Sequence, residues 1–360
     1  MSHAVDAGTF RVGSHHYARE LARTGADVLH LSTSFSHAQA LRARHSTEPT
    51  VSARRRLAAE GPRRDGEGVL HAVAQAVVPM RYGGGVAAAA RLARRHGFGE
   101  PDLVLVDQPL LAPVVERLAP RLVVYRPTDV HPGGLLRRRE QWLVARADAV
   151  VATSTTVLES LGVPASTPTL VLENGVELER FAVERRQRRE GLVYVGAVDA
   201  RFDWTAVETM ARAVPDVPVR IVGPVAQAPD GPLPPNVELV GSVPYDALPS
   251  VLASASVGLL PTSDHPLNAG RSPMKFYEYL AAGLHVVARR TPTLAARHAP
   301  GVKLYRTPAE ATAAVQASVA ERAANAAGRE HARAFAWDRR TAQLLAFTAE
   351  VRRGEEVRRA

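Results

Sequence analysis

The strongest constraint on this chain is a repeated alternation, in which short valine-rich apolar runs are separated by stretches with helical spacing. Such runs fall at residues 26–31, 69–78, 102–106, 122–125, 149–153, 169–172, 192–195, 219–222, 237–240, 257–260, 284–288 and 302–305. Unbroken apolar runs of this length suit strands covered on both faces, as in a parallel sheet with helices on each side. Strand and helix in alternation predict an α/β chain of doubly wound type. With 360 residues the chain is long for one core and fits two domains of roughly 150–200 residues each.

Residues 271–289, RSPMKFYEYLAAGLHVVAR, read as a loop, a short helix, a glycine stop and a buried strand. Ser272 stands where a helix cap belongs and Pro273 where the first helical residue belongs. Gly283 is the expected left-handed stop. The first turn of such a helix offers free N–H groups and the positive end of the macrodipole, so a diphosphate can dock there. Lys275 adds a formal charge, and Glu278 shares its helix face, where a carboxylate can accept from sugar hydroxyls. The 45 basic residues comprise 43 arginines and two lysines, Lys275 and Lys303. In a chain so biased to arginine, a compact ammonium at position 275 stands out.

Composition removes several functions. The chain has no cysteine, which excludes disulfides, thiolate metal sites and cysteine nucleophiles and suits a reducing cytoplasm. No run approaches the roughly 18 apolar residues of a bilayer span. The net charge of +9 is spread evenly over the two halves, which argues against a dedicated nucleic-acid face. Arginine groups at 54–56, 63–64, 91–95 and 137–139 are solvated faces or contacts for anionic headgroups or a lipid-linked acceptor. There is no G-x-G-x-x-G, no phosphate-loop motif and no Asp-x-Asp, so dehydrogenase and kinase readings fall away.

The N-terminus offers only residues 2–5 as a first strand, so the start is late or that strand is a stub. Ser14 is the expected cap of a helix running to Thr24, behind a loop at residues 6–13. Residues 33–68 are polar and arginine-rich and are expected as a mobile loop with one helix, forming an acceptor lip. The strand at 122–125 leads straight into Arg126 and Asp129, where open α/β sheets place ligand-contacting groups. Asp129 there either caps the turn or takes a proton from an acceptor hydroxyl. In the second half, the strand at 192–195 runs into a turn at Gly196, where a small residue leaves room for phosphate or sugar.

Five stretches resemble GT-B glycosyltransferases. Pro273, Met274, Lys275, Glu278, Tyr279, Ala281, Gly283, Val286 and Val287 stand in the places of that fold's nucleotide-diphosphate helix. VYRPTD at 124–129 resembles the VYR-x-x-D of xanthan-type glucuronosyltransferases, where the aspartate is the proposed base. Asn174-Gly175-Val176 with Phe181 resembles the hinge joining GT-B domains, and Gly196 with Phe202-Asp203-Trp204 resembles a stretch of the same transferases. The segment GTFRVGSHH at 8–16 looks like the acceptor-side loop of bacterial polysaccharide enzymes, with His15 and His16 pointing toward a cleft.

The resemblance implies two Rossmann-like doubly wound domains facing across a cleft. These would be an acceptor domain at 1–183, a donor domain at 184–335, and a C-terminal helix and basic tail at 336–360 crossing back. A charged linker is expected at 185–190. It also implies a UDP-favoured nucleotide-sugar donor held by Gly196, Gly241, Val243, Arg271, Ser272, Met274, Lys275 and Glu278. Asp129 and His16 would be catalytic, with Gly13, His15 and Arg126 on the acceptor side. The acceptor would be lipid-linked or a small molecule, in cell-surface polysaccharide or glycoconjugate synthesis.

Retaining relatives use two glutamates eight apart, and position 270 is glycine, so the resemblance favours an inverting hexosyl- or glucuronosyltransferase. The helix dipole with Lys275 stabilises a leaving diphosphate without a metal, and no cofactor, metal or nucleic acid is expected. Localisation would be cytoplasmic or peripheral on the inner face of the plasma membrane. The alternatives are a UDP-N-acetylglucosamine 2-epimerase-like enzyme and a non-catalytic nucleotide-binding partner.

Overall fold

The computed structural model of the chain describes residues 1–6, 10–42, 49–182, 189–321 and 323–359. Two compact units emerge, Met1–Glu173 with Arg340–Ala360, and Asn174–Arg339.

In the first unit the strands are β1 (Val28–Ser36), β2 (Arg63–Arg64), β3 (Val69–Ala76), β4 (Val104–Val106), β5 (Val123–Tyr125), β6 (Ala149–Ala152) and β7 (Thr169–Val171). They form a β1-β3-β2 sheet and a β4-β5-β6-β7 sheet, parallel except at β2. The N-terminal stub joins the two. Ser2 N donates to Leu31 O and Thr33 N to Ser2 O, while Met1 N donates to Leu105 O and Asp107 N to Met1 O. The expected first strand is thus reduced to a bridge at Ser2.

The helices of this unit are α1 (Gly13–Arg23), α2 (His37–Arg42), α3 (Pro49–Glu60), α4 (Val86–Arg95), α5 (Ala112–Val115), α6 (Gly134–Val144) and α7 (Thr155–Leu161). Two expectations change here. The stretch expected as a mobile loop carries the end of β1, α2, α3 and β2, because Phe35 and Val73 form a small core against Ala53 and Leu57 of α3. Residues 43–48 of that stretch, and 7–9 of the loop before α1, lie outside the described residues. Ser14 is not the cap of α1. Val12 takes that place, its N–H donating to His15 Nδ1, and Ser14 lies inside the helix with Oγ 3.2 Å from His30 Nε2.

The second unit has one fully parallel sheet of β8 (Leu192–Val195), β9 (Val219–Val222), β10 (Val237–Gly241), β11 (Val257–Leu260), β12 (His285–Arg289) and β13 (Val302–Tyr305). Its order, β10-β9-β8-β11-β12-β13, is the doubly wound arrangement in which winding reverses between β8 and β11. The helices are α8 (Leu178–Phe181), α9 (Trp204–Ala213), α10 (Leu248–Ser254), α11 (Met274–Ala281), α12 (Pro292–Ala295), α13 (Pro308–Ala320) and α14 (Ala326–Ala332), before α15 (Trp337–Arg359). Local chemistry sets their starts. Asp203 caps α9 through Ala206 N, and Thr307 with Glu310 forms a capping box on α13.

The unit boundary falls before residue 183, because 174–181 packs into the second unit. Asn174 donates from its backbone N to Ser272 Oγ (3.2 Å) and from Nδ2 to Ser272 O (2.6 Å). Val176 bridges Ala336, and Phe181 packs edge-on to Tyr245. The linker expected at 185–190 lies outside the described residues except for Arg189 and Glu190.

Candidate functional site

In doubly wound sheets ligands bind past the carboxyl ends of the strands, where the winding reverses. In the second unit the loops leaving that point are the Gly196 turn after β8 and residues 261–273 after β11, which end at the start of α11. Gly196 N donates to Val222 O (2.8 Å) and Gly223 N to Gly241 O (2.8 Å), so Gly196, Gly223 and Gly241 align across the ends of β8, β9 and β10. Gly196 adopts φ +144°, and a Cβ there would stand 2.3 Å from Lys275 Nζ. Only glycine lets the ammonium lie on this turn.

Lys275 is in the first turn of α11 and is itself held. Its Nζ donates to Tyr194 Oη (3.1 Å) and lies 4.3 Å from the Tyr194 ring centroid, while Tyr194 Oη donates to Ala197 O (2.9 Å). Tyr194 is the penultimate residue of β8 and Gly196 directly follows the strand, so the strand and its turn supply both the clamp for the lysine and the glycine. On the same helix, Tyr279 Oη accepts from Val195 N (2.9 Å), tying α11 to β8. Gly258 leaves space for the Tyr279 ring, which a Cβ would approach within 2.3 Å.

Glu278 is only 8% exposed. Burial raises its pKa from 4.5 to about 7, against the pull of Lys275 and with a smaller upward push from Glu177. Glu177 pairs with Arg180 (2.6 Å) and accepts from Tyr245 Oη (3.3 Å). Tyr245 follows the turn that contains Gly241 and half-buried Val243. Arg271 acts electrostatically on Asp199, whose pKa falls to about 2 chiefly through its hydrogen bond from Arg201.

Ser272 departs from expectation. Pro273 occupies the cap position and α11 starts at half-buried Met274. The Ser272 hydroxyl instead accepts from Asn174 N and from Arg297 Nη2 (2.8 Å), in a buried position. Asn174 and Arg297 draw it away from the helix end.

In the first unit Asp129 is half-buried just past β5 and accepts from Thr128 Oγ1 (3.0 Å). Arg126 does not face an acceptor. Its side chain is fully buried, pairs with Asp107 (2.8 Å) and lies 4.7 Å from the Tyr17 ring centroid, bracing the loop that carries Asp129. His15 and His16 are buried rather than directed outward. The His15 ring is occupied by Val12 N and Ala4 O and lies tilted against His30 (centroids 4.7 Å apart), and burial lowers its pKa to about 3. Gly13 is the buried first residue of α1.

Two residues were missed from the sequence. Tyr194 lies two residues before Gly196, and its strand position was a usable signal. His3 follows the Ser2 bridge on the same carboxyl edge as Asp107 and Asp129. Its pKa is lowered by desolvation and pulled upward by both carboxylates.

Among the described residues, no group of three or more His, Asp or Glu is arranged to hold a metal, and no helix is long and apolar enough to cross a membrane.

A family profile described as glycosyl transferase-like matches residues 201–346, which contain the Lys275 helix. A Bacillus subtilis (strain 168) protein, provisionally named the teichuronic acid biosynthesis glycosyltransferase TuaH, is 30% identical over 148 residues. That match spans 37% of each chain, little more than a third of the relative's length.

Among solved structures, a sucrose-phosphate synthase of Thermosynechococcus elongatus superposes with a TM-score of 0.71 at 17% identity, covering 97% of this chain and 98% of that one. Anabaena HepE, solved in complex with UDP and glucose, gives 0.69 at 14% identity, covering 97% and 99%. The fold is GT-B, as the resemblance implied. The family match is confined to residues 201–346, while the likeness to these solved structures extends over nearly the whole chain and shows its fold.

Proposed function

We propose that the protein transfers a sugar from a nucleoside-diphosphate sugar, UDP-linked by preference, to an acceptor hydroxyl in cell-surface polysaccharide or glycoconjugate synthesis. The observation that carries this reading is the Lys275 ammonium lying on the Gly196 turn at the point where the sheet reverses its winding. A diphosphate seated there meets a formal positive charge, the positive end of the α11 dipole and a glycine without a side chain. HepE has been solved with UDP bound, which supports a uridine donor, and the name of TuaH supports a surface-polymer pathway.

The chemistry follows from charge. Asp129, on the first unit, takes the proton of the acceptor hydroxyl as its oxygen attacks the anomeric carbon. The bond from that carbon to the diphosphate oxygen breaks, and its electron pair leaves with the diphosphate, where Lys275 and the helix end stabilise it without a metal. One displacement inverts the anomeric centre. Position 270, glycine here, offers no second carboxylate for a retaining path. Glu278 accepts from the ribose hydroxyls, and the turn carrying Gly241 and Val243 faces the base.

The test is UDP release from a panel of UDP-sugars with and without polysaccharide-type acceptors. Acceptor-dependent release, cut on the order of 10²–10⁴-fold in Asp129→Asn with UDP binding retained, is the expected result. Turnover on donor alone would indicate an epimerase, and indifference to Asp129→Asn a non-catalytic nucleotide-binding partner.

A further inference from the structure

The first unit holds an apolar prow that glycosyl transfer does not use. After β3 the chain turns through residues 77–85, sequence VVPMRYGGG. Met80 points inward and is buried in the core with Ala89, Leu111 and Val114. Val77, Val78 and Tyr82 point outward, 73%, 45% and 69% exposed.

This is a built turn. Pro79 O accepts from both Tyr82 N (2.9 Å) and Gly84 N (3.3 Å), and Gly84 O accepts from Ser34 Oγ (3.1 Å). A Cβ on Gly84 would stand 1.7 Å from Val78 O, so the turn closes only around glycine. Isolated exposed apolar residues are ordinary, but three held outward by one braced turn mark an interaction site.

Charge selects the partner. The turn itself carries no acidic residue, and its Arg81 lies 4.8 Å from the Tyr82 ring centroid. Helix α6 abuts the turn through Arg139, which donates to Met80 O (3.5 Å) and Leu110 O (3.0 Å). The same helix exposes Leu135 and Arg138. A small set of aliphatic side chains, a tyrosine suited to the headgroup level and an arginine flank complement an anionic bilayer. The apolar set is too small for a stable protein interface, which buries roughly 800 Å² per partner.

We propose that the 77–85 turn, with the exposed start of α6, seats the first unit on an anionic membrane surface. A few inserted side chains bind weakly on their own, so docking depends on anionic lipid and weakens with salt. This inference stands independently of the donor site.

The test is flotation of the full chain with pure phosphatidylcholine vesicles and with vesicles containing phosphatidylglycerol. Wild type floats with the anionic vesicles alone. Val77→Ser with Val78→Ser and Tyr82→Ser, and separately Arg81→Glu with Arg138→Glu, each cut the bound fraction about tenfold or more, while keeping the wild-type melting temperature and UDP response. Absence of wild-type flotation, or full flotation of the serine variant, overturns the proposal. So does a wild-type dimer that the serine variant dissolves, which would assign the turn to a second copy of the chain.

Discussion

The Lys275 ammonium stands 3.1 Å from the phenol oxygen of Tyr194 and 4.3 Å from its ring centroid, so the strand that ends at the Gly196 turn also clamps the cation lying on it. A lysine side chain carries about 2 kcal/mol of rotamer entropy. The phenol holds it in place before any ligand arrives, which lowers the ordering needed on binding.

Tyr194→Phe keeps the ring and removes the oxygen. One hydrogen bond is worth about 1 kcal/mol net, so UDP affinity by calorimetry should fall roughly fivefold, with a small drop in melting temperature. Tyr194→Leu, which also removes the ring face, should fall further. Equal affinity for the two variants would mean that the ring contributes nothing to holding the cation.

Gly196→Ala puts a methyl 2.3 Å from Lys275 Nζ at a positive φ. The backbone strain costs on the order of 1–3 kcal/mol of stability, and the displaced ammonium should weaken UDP binding about tenfold or more. Added to Lys275→Ala, the same change should have almost no further effect on affinity, because the two act through one contact. Additive losses would separate the glycine from the lysine.

Glu278 sets a pH dependence with a definite sign. Its carboxyl titrates near 4.5 in the unfolded chain and at about 7 in the folded one. The native state is therefore favoured by this group below pH 4.5, and that contribution is lost as pH rises through about 7. Glu278→Gln should stabilise the protein at pH 8 by on the order of 1–3 kcal/mol and leave it unchanged at pH 4, while weakening UDP. A variant less stable than wild type at pH 8 would show the carboxylate to be well satisfied in the free protein.

Ser272→Ala separates support from ligand contact. The hydroxyl accepts from Asn174 N and Arg297 Nη2 in a buried position. Its loss should cost about 1–3 kcal/mol and leave UDP affinity per folded molecule unchanged. A selective loss of affinity would restore Ser272 to the donor site.

The second unit was largely legible in sequence because its signals are local. The strands at 192–195, 219–222, 257–260 and 302–305, the Asp203 cap and the Gly283 stop each follow from a few adjacent residues. The first unit was less so. Residues 33–68 look polar, yet a few contacts distant in sequence, such as Val73 with Leu57, anchor α3 in this stretch. Ser272 and Ser14 both carry capping chemistry, and both were recruited by long-range partners, Asn174 with Arg297 and His30. His15 and Arg126 have the chemistry of an active site and the burial of a core, a distinction that composition and spacing do not encode.

The central claim is that a nucleoside diphosphate docks on the first turn of α11 through Lys275. Melting temperatures measured with UDP, GDP, dTDP and ADP, for wild type and Lys275→Ala, test it most directly, since a ligand bound only by the native state raises the transition. The account predicts that UDP stabilises the wild type and that the shift vanishes in the variant. Stabilisation that survives loss of Lys275, or none with any of the four, would contradict it.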